Sequence, residues 1–591
     1  MVDEGQVIRG INWRSTFPFI NIFRSFRVAI HMSKLALGLA LLLAIYFGGL
    51  ILDSAWPVRA RAIPGEVELY EGISTGTAEG TLASWRADRQ NEIDSRYATL
   101  LQQHQIINPE SDAEAPSTTR DRAMAAAYRR HYVGEVQSKI LHDRDDAVAD
   151  LDKTYQKAVA TADDAFNANS SAPDAARNRD DAKAAALAAR NTSIGAAYDD
   201  ASQQYYQVEQ ARGMGLFHVF FDYEVRQITM VVEAAVRNDW IGPSGVGAHV
   251  ANFFTIAPIW LIWHHTVFFI VFAIYFLLAW ALFGGAISRI AAVHIARDEK
   301  ISVRQAMNFA VGKLLSFASA PVIPILIVVV IGLVVAAASL LGNIPFLGPI
   351  AIGAFFILPL LAGAVMTLVL LGTAGGFNLM YPTIAVEGSD SFDAISRSFS
   401  YVYARPWRML FYTAVAVAYG AATYMFVHLF LMMLLVLTHH FVGIGMWTAA
   451  NNTRDLFTTM WPSPSVTGRL SYHVDYTMLS PAQKLGAFLL HGWVMLLVFF
   501  LGAFAISLYF SANTIIYYLM RSEVDATEMD DVYLEQSEDD LEPSPPASGP
   551  TPVVATTTTV IVAETVAPEA PPIVDAPPAD IPPATDAPPT V

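Results

Sequence analysis

The sequence predicts an all-α membrane protein: a six-helix transmembrane bundle with amphipathic cytoplasmic helices, an exported helical hairpin or stalk, and a disordered C-terminal tail. Three observations lead there. Five windows, residues 35–52, 240–288, 314–386, 409–453 and 485–520, contain no Asp, Glu, Lys or Arg. Basic residues crowd the loops on one side of these windows. Between the first and second windows lies a long, charged, Ala-rich run with few helix breakers.

A bilayer core about 30 Å thick needs roughly 20 apolar helical residues to cross it. The window 314–386 is long enough for two crossings, and Gly342-Asn343-Ile344-Pro345 supplies the break, so the windows yield six spans. Orientation follows from the bases. Arg9, Arg14, Arg24, Arg27 and Lys34 precede the first span; Arg289, Arg297, Lys300, Arg304 and Lys313 lie between the second and third; Arg397, Arg405 and Arg408 lie between the fourth and fifth. By the positive-inside rule these loops are cytoplasmic and so are both termini. The expected organisation is a basic N-terminus with an amphipathic helix (1–34), an anchor (35–52), an exported coiled-coil-like helical domain (53–250), a five-helix membrane domain (251–520) and an acidic, Pro-rich tail (521–591). Ala60-Arg61-Ala62 has the small-x-small form of a signal-peptide cleavage site, but the apolar window and its basic preface are long for a signal, which favours an uncleaved anchor.

The exported segment reads as helical. Leu141, Val148, Leu151, Tyr155, Val159 and Ala162 recur at spacings of three, four and seven, forming one narrow, weakly apolar stripe within residues 118–166. A second Ala-rich run covers 174–212, and Asn169-Ser170-Ser171-Ala172-Pro173 breaks the two apart. The product is an antiparallel hairpin whose thin seam suits pairing with an envelope protein or a second copy; an unpartnered, marginal helix pair is the plainer alternative. Residues 216–236 carry a stronger apolar face, Phe217, Phe221, Val225, Ile228 and Val232, suited to the stalk base or the outer leaflet. The tail from 521 on is first acidic, then built from Pro, Ala, Thr and Val, a composition that cannot bury enough apolar surface to fold and would at most offer a ligand to a cytoplasmic partner.

Two loop units match in order. Gly284-Gly285 precedes a polar stretch and the capping box Ser302-Val303-Arg304-Gln305; Gly375-Gly376 precedes a polar stretch and Asp390 as N-cap of an interfacial helix. That helix carries Phe392, Ile395, Phe399 and Val402 on one face, with Arg397 beside them and Pro406-Trp407-Arg408 at its end. Each unit is expected to be a span, a double-glycine bend, an interfacial amphipathic helix and a return span, a duplication found in transport folds and elsewhere.

Residues 380–388, Met-Tyr-Pro-Thr-Ile-Ala-Val-Glu-Gly, followed by Ala394-Ile395-Ser396-Arg397-Ser398-Phe399 and Trp407-Arg408, resemble an element of uncharacterised bacterial multipass proteins. That group includes the membrane domain attached to some glycerophosphodiester phosphodiesterases. The resemblance spans roughly 283–521 and implies a multi-pass protein of the bacterial inner membrane. No phosphodiesterase domain accompanies it, so it brings no catalytic residues.

Chemistry-bearing patterns are few. The absence of cysteine excludes disulfides, thiolate metal sites and iron–sulfur ligation. The net charge of −17 argues against a nucleic-acid partner. There is no phosphate loop or zinc-helix motif. The single Gly-x-Ser-x-Gly, at Gly72-Ile73-Ser74-Thr75-Gly76, lacks the strand and helix of a nucleophile elbow and reads as a juxtamembrane loop. His264, His265, His428 and His491, with His439 and His440, fall in one leaflet and are candidate haem or metal ligands; interhelical hydrogen bonding at the membrane boundary is the simpler reading, and no cofactor is expected. A permease for a neutral or lipid-like substrate would rely on Asn378, Asn513, Ser316 and Ser319 with helix interruptions at Pro321, Pro324 and Pro359. The favoured expectation is a non-enzymatic membrane scaffold or envelope-interaction protein that presents the stalk, in contact with the lipid bilayer.

Overall fold

Charge-free apolar runs become helices because a helix satisfies every backbone N–H and C=O internally, which lipid requires. The computed structural model describes residues 17–57, 60–106, 130–446, 449–450, 454–464 and 472–533. The first sixteen residues and the expected tail beyond Tyr533 lie outside this set. The chain forms α1 (Met32–Ala55), α2 (Glu66–Ser74), α3 (Leu82–Gln103), α4 (Val133–Ala168), α5 (Ala175–Arg212), α6 (Leu216–Val236), α7 (Val246–His264), α8 (Thr266–Arg297), α9 (Val303–Gly312), α10 (Leu314–Ser319), α11 (Val322–Ser339), α12 (Leu347–Phe355), α13 (Ile357–Glu387), α14 (Ser391–Ala404), α15 (Pro406–Gly445) and α16 (Pro481–Val524). The fold is an all-α membrane fold.

Seven helices are long and apolar enough to cross a bilayer: α1, α7, α8, α11 with its following turn, α13, α15 and α16. The expectation was six. The difference is the window 240–288, which is not one helix but two, broken at His265 (φ −136°, ψ 45°). Helix α7 pairs with α6, and its side chains bond to α2 and α6 residues on the stalk side: Asn252 to Glu71, His249 to Gln227 and Trp260 to Glu66.

α8 and α16 form the centre of the bundle, flanked by α1, α13 and α15, while α11 packs chiefly on α13. Small residues let backbones meet, as expected where lipid supplies no hydrophobic drive between helices. A methyl group on Gly38 would stand 2.8 Å from the carbonyl oxygen of Ala503. The paired glycines do not bend their helices. α8 runs unbroken through Gly284 and Gly285, and α13 through Gly375 and Gly376. These positions are seats instead: Phe510 rests on Gly284, Phe317 on Gly285, Val402 on Gly375 and Ser398 on Gly376. Both loop units are thus a long helix with short helices folded back on it, α9 and α10 on α8, α14 on α13.

The two expected caps are present. Gln305 N–H donates to Ser302 Oγ at 3.2 Å while Ser302 N–H donates to Gln305 Oε1 at 3.1 Å. Asp393 N–H donates to Asp390 Oδ1 at 2.9 Å. A second capping box, Ser480 with Gln483, opens α16 and escaped the sequence reading. Pro324 and Pro359 occupy first turns, where a missing N–H costs little, and Pro321 separates α10 from α11.

α4 and α5 form the antiparallel stalk hairpin, tied by Arg190–Asp152 and Lys183–Asp163 at 2.5 Å each. The stripe Leu141, Val148, Leu151, Tyr155, Val159 and Ala162 is buried or half-buried along the seam. Only the base has a true core, where Val133, Val136, Ile140, Ala201 and Val208 meet Ile93, Tyr97, Leu100 and Leu101 of α3. α6 packs at the stalk base, where Leu216 and Phe217 share a cluster with Val67 and Leu82, and also on the bundle: Phe217 sits on Gly49 of α1, Phe221 lies near Tyr46, and Val225 and Ile228 join a cluster with Leu431 and Val494 of α15 and α16.

The opposite end of the bundle is closed by a polar lattice. Arg397 bridges Glu387 at 2.8 Å and Asp393 at 3.1 Å, Tyr517 donates to Glu387 at 2.5 Å, and Arg521 reaches Glu387 at 3.3 Å and Asp531 at 2.6 Å. Residues 525–533, placed in the tail by sequence, fold back as a strap: Tyr533 N–H donates to the Val386 carbonyl at 2.8 Å and Arg289 donates to the Ala385 and Tyr533 carbonyls at 2.8 and 2.7 Å. Gly388, at φ +64°, ends α13 in the left-handed region and lies under the Tyr533 ring. A Gly388→Ala variant would carry left-handed strain of about 1 kcal/mol and drive its methyl into that ring, so a stability loss of roughly 2 kcal/mol and faster protease cleavage within 525–533 are expected; unchanged cleavage would remove the role given to the strap.

Candidate functional site at the stalk junction

The stalk meets the bundle where α1 ends and α2, α6, α7 and α8 converge. Gly65, at φ +85°, turns the chain into α2 and puts Glu66 in the first helical turn, where a carboxylate is favoured by the helix N-terminus. Glu66 is fully buried. Trp260 Nε1–H donates to it at 3.0 Å and the Ile63 N–H at 3.1 Å; His265 Nε2 stands 3.4 Å away and Arg86 Nε 3.5 Å. Burial alone would lift this carboxyl, but the His265 hydrogen bond, the Arg86 charge and the Ile63 N–H outweigh it and hold Glu66 below the ordinary carboxyl range.

A second carboxylate does structural work nearby. Asp53, in the last turn of α1, accepts the N–H groups of Phe217 and His218 at 2.8 and 2.9 Å, supplying the cap that Gly215 cannot. Gly215 is required there, since a methyl group would fall 2.1 Å from Asp53 Oδ2. Glu71 and Glu68 tie α2 to Asn252 and Arg226 at 2.9 and 2.7 Å. Higher on the stalk, His104 sits between Asp143 and Gln204 at 2.8 and 2.7 Å, and Ser202 donates to Asp475 at 2.5 Å, with Arg144 donating to the Thr477 carbonyl. The stalk is therefore gripped from both sides.

The candidate histidines disperse. His265 belongs to the Glu66 site with its ring 4.7 Å from Trp260, whereas His264 is exposed beside Tyr70. His428 is fully buried against Tyr424 with neither ring nitrogen hydrogen-bonded, and His491 lies 4.8 Å from the Tyr472 ring. Among the described residues no group of three or more His, Asp or Glu is placed to hold a metal ion. Asn378 accepts the Tyr509 hydroxyl at 2.7 Å, a closed pair within the bundle. Of the interfacial set, Ile395 is buried, Phe399 packs on Gly372 and Arg397 joins the Glu387 lattice, while Phe392 and Trp407 point outward at 67% and 80% exposure. The expected single apolar face is therefore split between packing and the membrane boundary. The Gly-x-Ser-x-Gly run is the end of α2 and its following turn, with no strand before it. Glu66 and Asp53 escaped the sequence reading; their signals were a glycine directly before an acid and a lone acid at the rim of an apolar window.

No family model, curated protein or solved structure matches this chain.

One further carboxyl stands apart. Glu224 of α6 is 8% exposed, neither of its oxygens has a hydrogen-bond partner, and burial pushes it up to about 8. These two acids respond to pH in opposite directions. Glu66, lowered in the folded state, contributes stability above the ordinary carboxyl value that is lost as pH falls through its folded value; Glu66→Ala should cost about 3–5 kcal/mol near neutral pH, seen as a lower unfolding midpoint in detergent. Glu224, raised when folded, makes stability fall as pH rises from the ordinary value near 4.5 to about 8. Glu224→Gln should therefore stabilise the protein on the order of 3 kcal/mol at pH above about 8 and leave it unchanged in acid; equal midpoints across that range would refute a buried, uncharged Glu224.

Proposed function

We propose that the protein is a non-enzymatic integral-membrane scaffold of a bacterial inner membrane that holds a rigid helical arm outside the bilayer for an envelope protein or a second copy to bind. The observation that carries this reading is the arm itself. Helices α4 and α5 have 36 and 38 residues, roughly 55 Å of hairpin, of which only the base is enclosed by α3 and by the segment at Asp475 and Thr477. The outer part offers an alanine seam between ion-paired flanks, with Leu187 and, nearer the base, Tyr206 exposed.

The sidedness of the proposal rests on charge. Arg24, Arg27, Lys34, Arg289, Arg297, Lys300, Arg397, Arg408 and Arg521 flank the ends of spans away from the stalk, which makes that end cytoplasmic and the arm exported. α7 is then a non-crossing helix that returns along α6 at the outer surface, leaving six crossings and both termini inside. The resemblance around Glu387 and Gly388 agrees with a bacterial multipass protein.

The chain has no cysteine, so single introduced thiols give clean readouts. Ser171→Cys at the arm's tip should react with a membrane-impermeant maleimide in intact spheroplasts, and Asp530→Cys only after permeabilisation; the reverse pattern would overturn the orientation. A photo-crosslinker at Leu187 should trap a second copy or one envelope protein. A strictly monomeric product with no adduct would count against the scaffold reading.

A further inference from the structure

Just beyond the outer end of α1 the chain makes a small antiparallel bridge, Ala62 N–H to the Met214 carbonyl and Met214 N–H to the Ala62 carbonyl, each at 3.0 Å. The bridge is possible because Gly213 takes φ +76° between α5 and the next residues. Its effect is to bring Arg61 and Arg212, far apart in sequence, to one place, and α3 adds Arg86. Between them is a cavity of about 60 Å³ lined by Arg61, Ile63, Arg86, Gln90, Gln210 and Arg212. That is room for roughly four water-sized spheres, the bulk of a tetrahedral oxyanion.

Three guanidinium groups line this small space; Arg86 has Glu66 as its partner, whereas Arg61 and Arg212 have no carboxylate at ion-pair distance among the described residues. Glu66 is already engaged by Trp260, Ile63 and His265 as well as by Arg86. Asp53 spends its carboxylate on the two N–H groups that start α6. Arg61 reaches only the Asp53 carbonyl, at 3.4 Å, and its Nε is buried with no hydrogen-bond partner. Arg212 makes no ion pair among the described residues. Burial and then the neighbouring Arg212 work against charge on Arg61, and the Asp53 carboxylate only partly offsets them. In a chain of net charge −17 two neighbouring arginines without an ion-paired carboxylate stand out.

We propose that this cavity binds a phosphate-type oxyanion, either a free phosphate or phosphoester group or the headgroup of an anionic lipid. Planar guanidinium forks match tetrahedral oxyanions through paired N–H donors, and Gln90, whose amide donates to Asp94 at 3.0 Å, and Gln210 complete the polar lining. The cavity lies within hydrogen-bond reach of the last turn of α1, so a headgroup at the membrane rim is within reach as well as a solute. Occupancy would also brace the α5–α6 turn against α3, coupling the arm to the bundle. The proposal stands independently of the scaffold reading.

The test uses the full chain in a non-ionic detergent. Inorganic phosphate, at ionic strength matched with sodium chloride, should raise the unfolding midpoint of the wild type. Native mass spectrometry should show phosphatidylglycerol retained over phosphatidylcholine if the source is lipid. Arg61→Gln with Arg212→Gln should weaken whichever ligand binds at least tenfold, and Arg237→Gln, outside the cavity, should not. Arg212→Gln alone, at an exposed and unpaired side chain, leaves the fold intact and should weaken binding several-fold. Phosphate stabilisation without lipid selectivity identifies a soluble ligand, and the reverse identifies a headgroup. The proposal is overturned if the wild type binds neither probe, or if the cavity variants bind both as the wild type does.

Discussion

Hydrocarbon excludes formal charge, and nearly every feature of this molecule follows from where the displaced charges had to go. The apolar windows leave acids and bases only at the two rims of the bundle, where side chains are partly dehydrated and an unpaired charge is expensive. Each rim is organised around one carboxylate with several partners. At one, Glu387 gathers Arg397, Tyr517 and Arg521 from two other helices. At the other, Glu66 gathers Trp260, His265, Arg86 and the Ile63 N–H. Directional contacts of this kind fix how helices meet, which apolar contact between helix and lipid-like helix cannot do. The rims act as fasteners and the middle as filler.

What was legible in the sequence was local. The capping box at Ser302, the N-cap at Asp390, the break near Pro173 and the stripe from Leu141 to Ala162 each depend on residues within a turn or two of one another, and each is present. What was not legible depended on distant partners. His265, where α7 gives way to α8, stands 3.4 Å from Glu66, some two hundred residues earlier, a partner that no local pattern announces. Glycine pairs at 284–285 and 375–376 looked like bends because glycine favours irregular backbone. They are instead the only residues small enough to admit Phe510, Phe317, Val402 and Ser398. The strap at 525–533 had an acidic, tail-like composition, and its order comes from Arg289, Arg521 and the seat on Gly388. The candidate histidines shared a leaflet by position along the chain, a coordinate that says nothing about azimuth, and so they dispersed.

The residues of the pattern at 380–408 turn out to be architectural. Glu387 anchors the lattice, Gly388 permits the left-handed turn and the Tyr533 contact, Arg397 spans Glu387 and Asp393, and Ala394 and Ser398 are fully buried against α13. A pattern built from such positions specifies how an interfacial helix is folded back on a span and locked. It can recur wherever that closure is useful.

Packing is unevenly distributed, and the unevenness bears on what the molecule can do. α16 is enclosed over its last turns by α8, α13, α14 and the strap, whereas α11 and the first half of α13 present Ile325, Leu326, Val329, Leu333, Leu360, Leu361 and Val365 outward. The stalk is joined to the enclosed half: Asp53 of α1 caps α6, α6 lies across α1, α15 and α16, and Glu66 pins α2 to α7 and α8. A force or a binding event on the arm is thus received by the best-packed helices through charged hydrogen bonds, while the lipid-facing hairpin stands aside. A permease would need its mobile elements coupled to the site where ligand acts. Here the contacts run between the arm and the best-packed part of the bundle, the arrangement that the proposed scaffold requires.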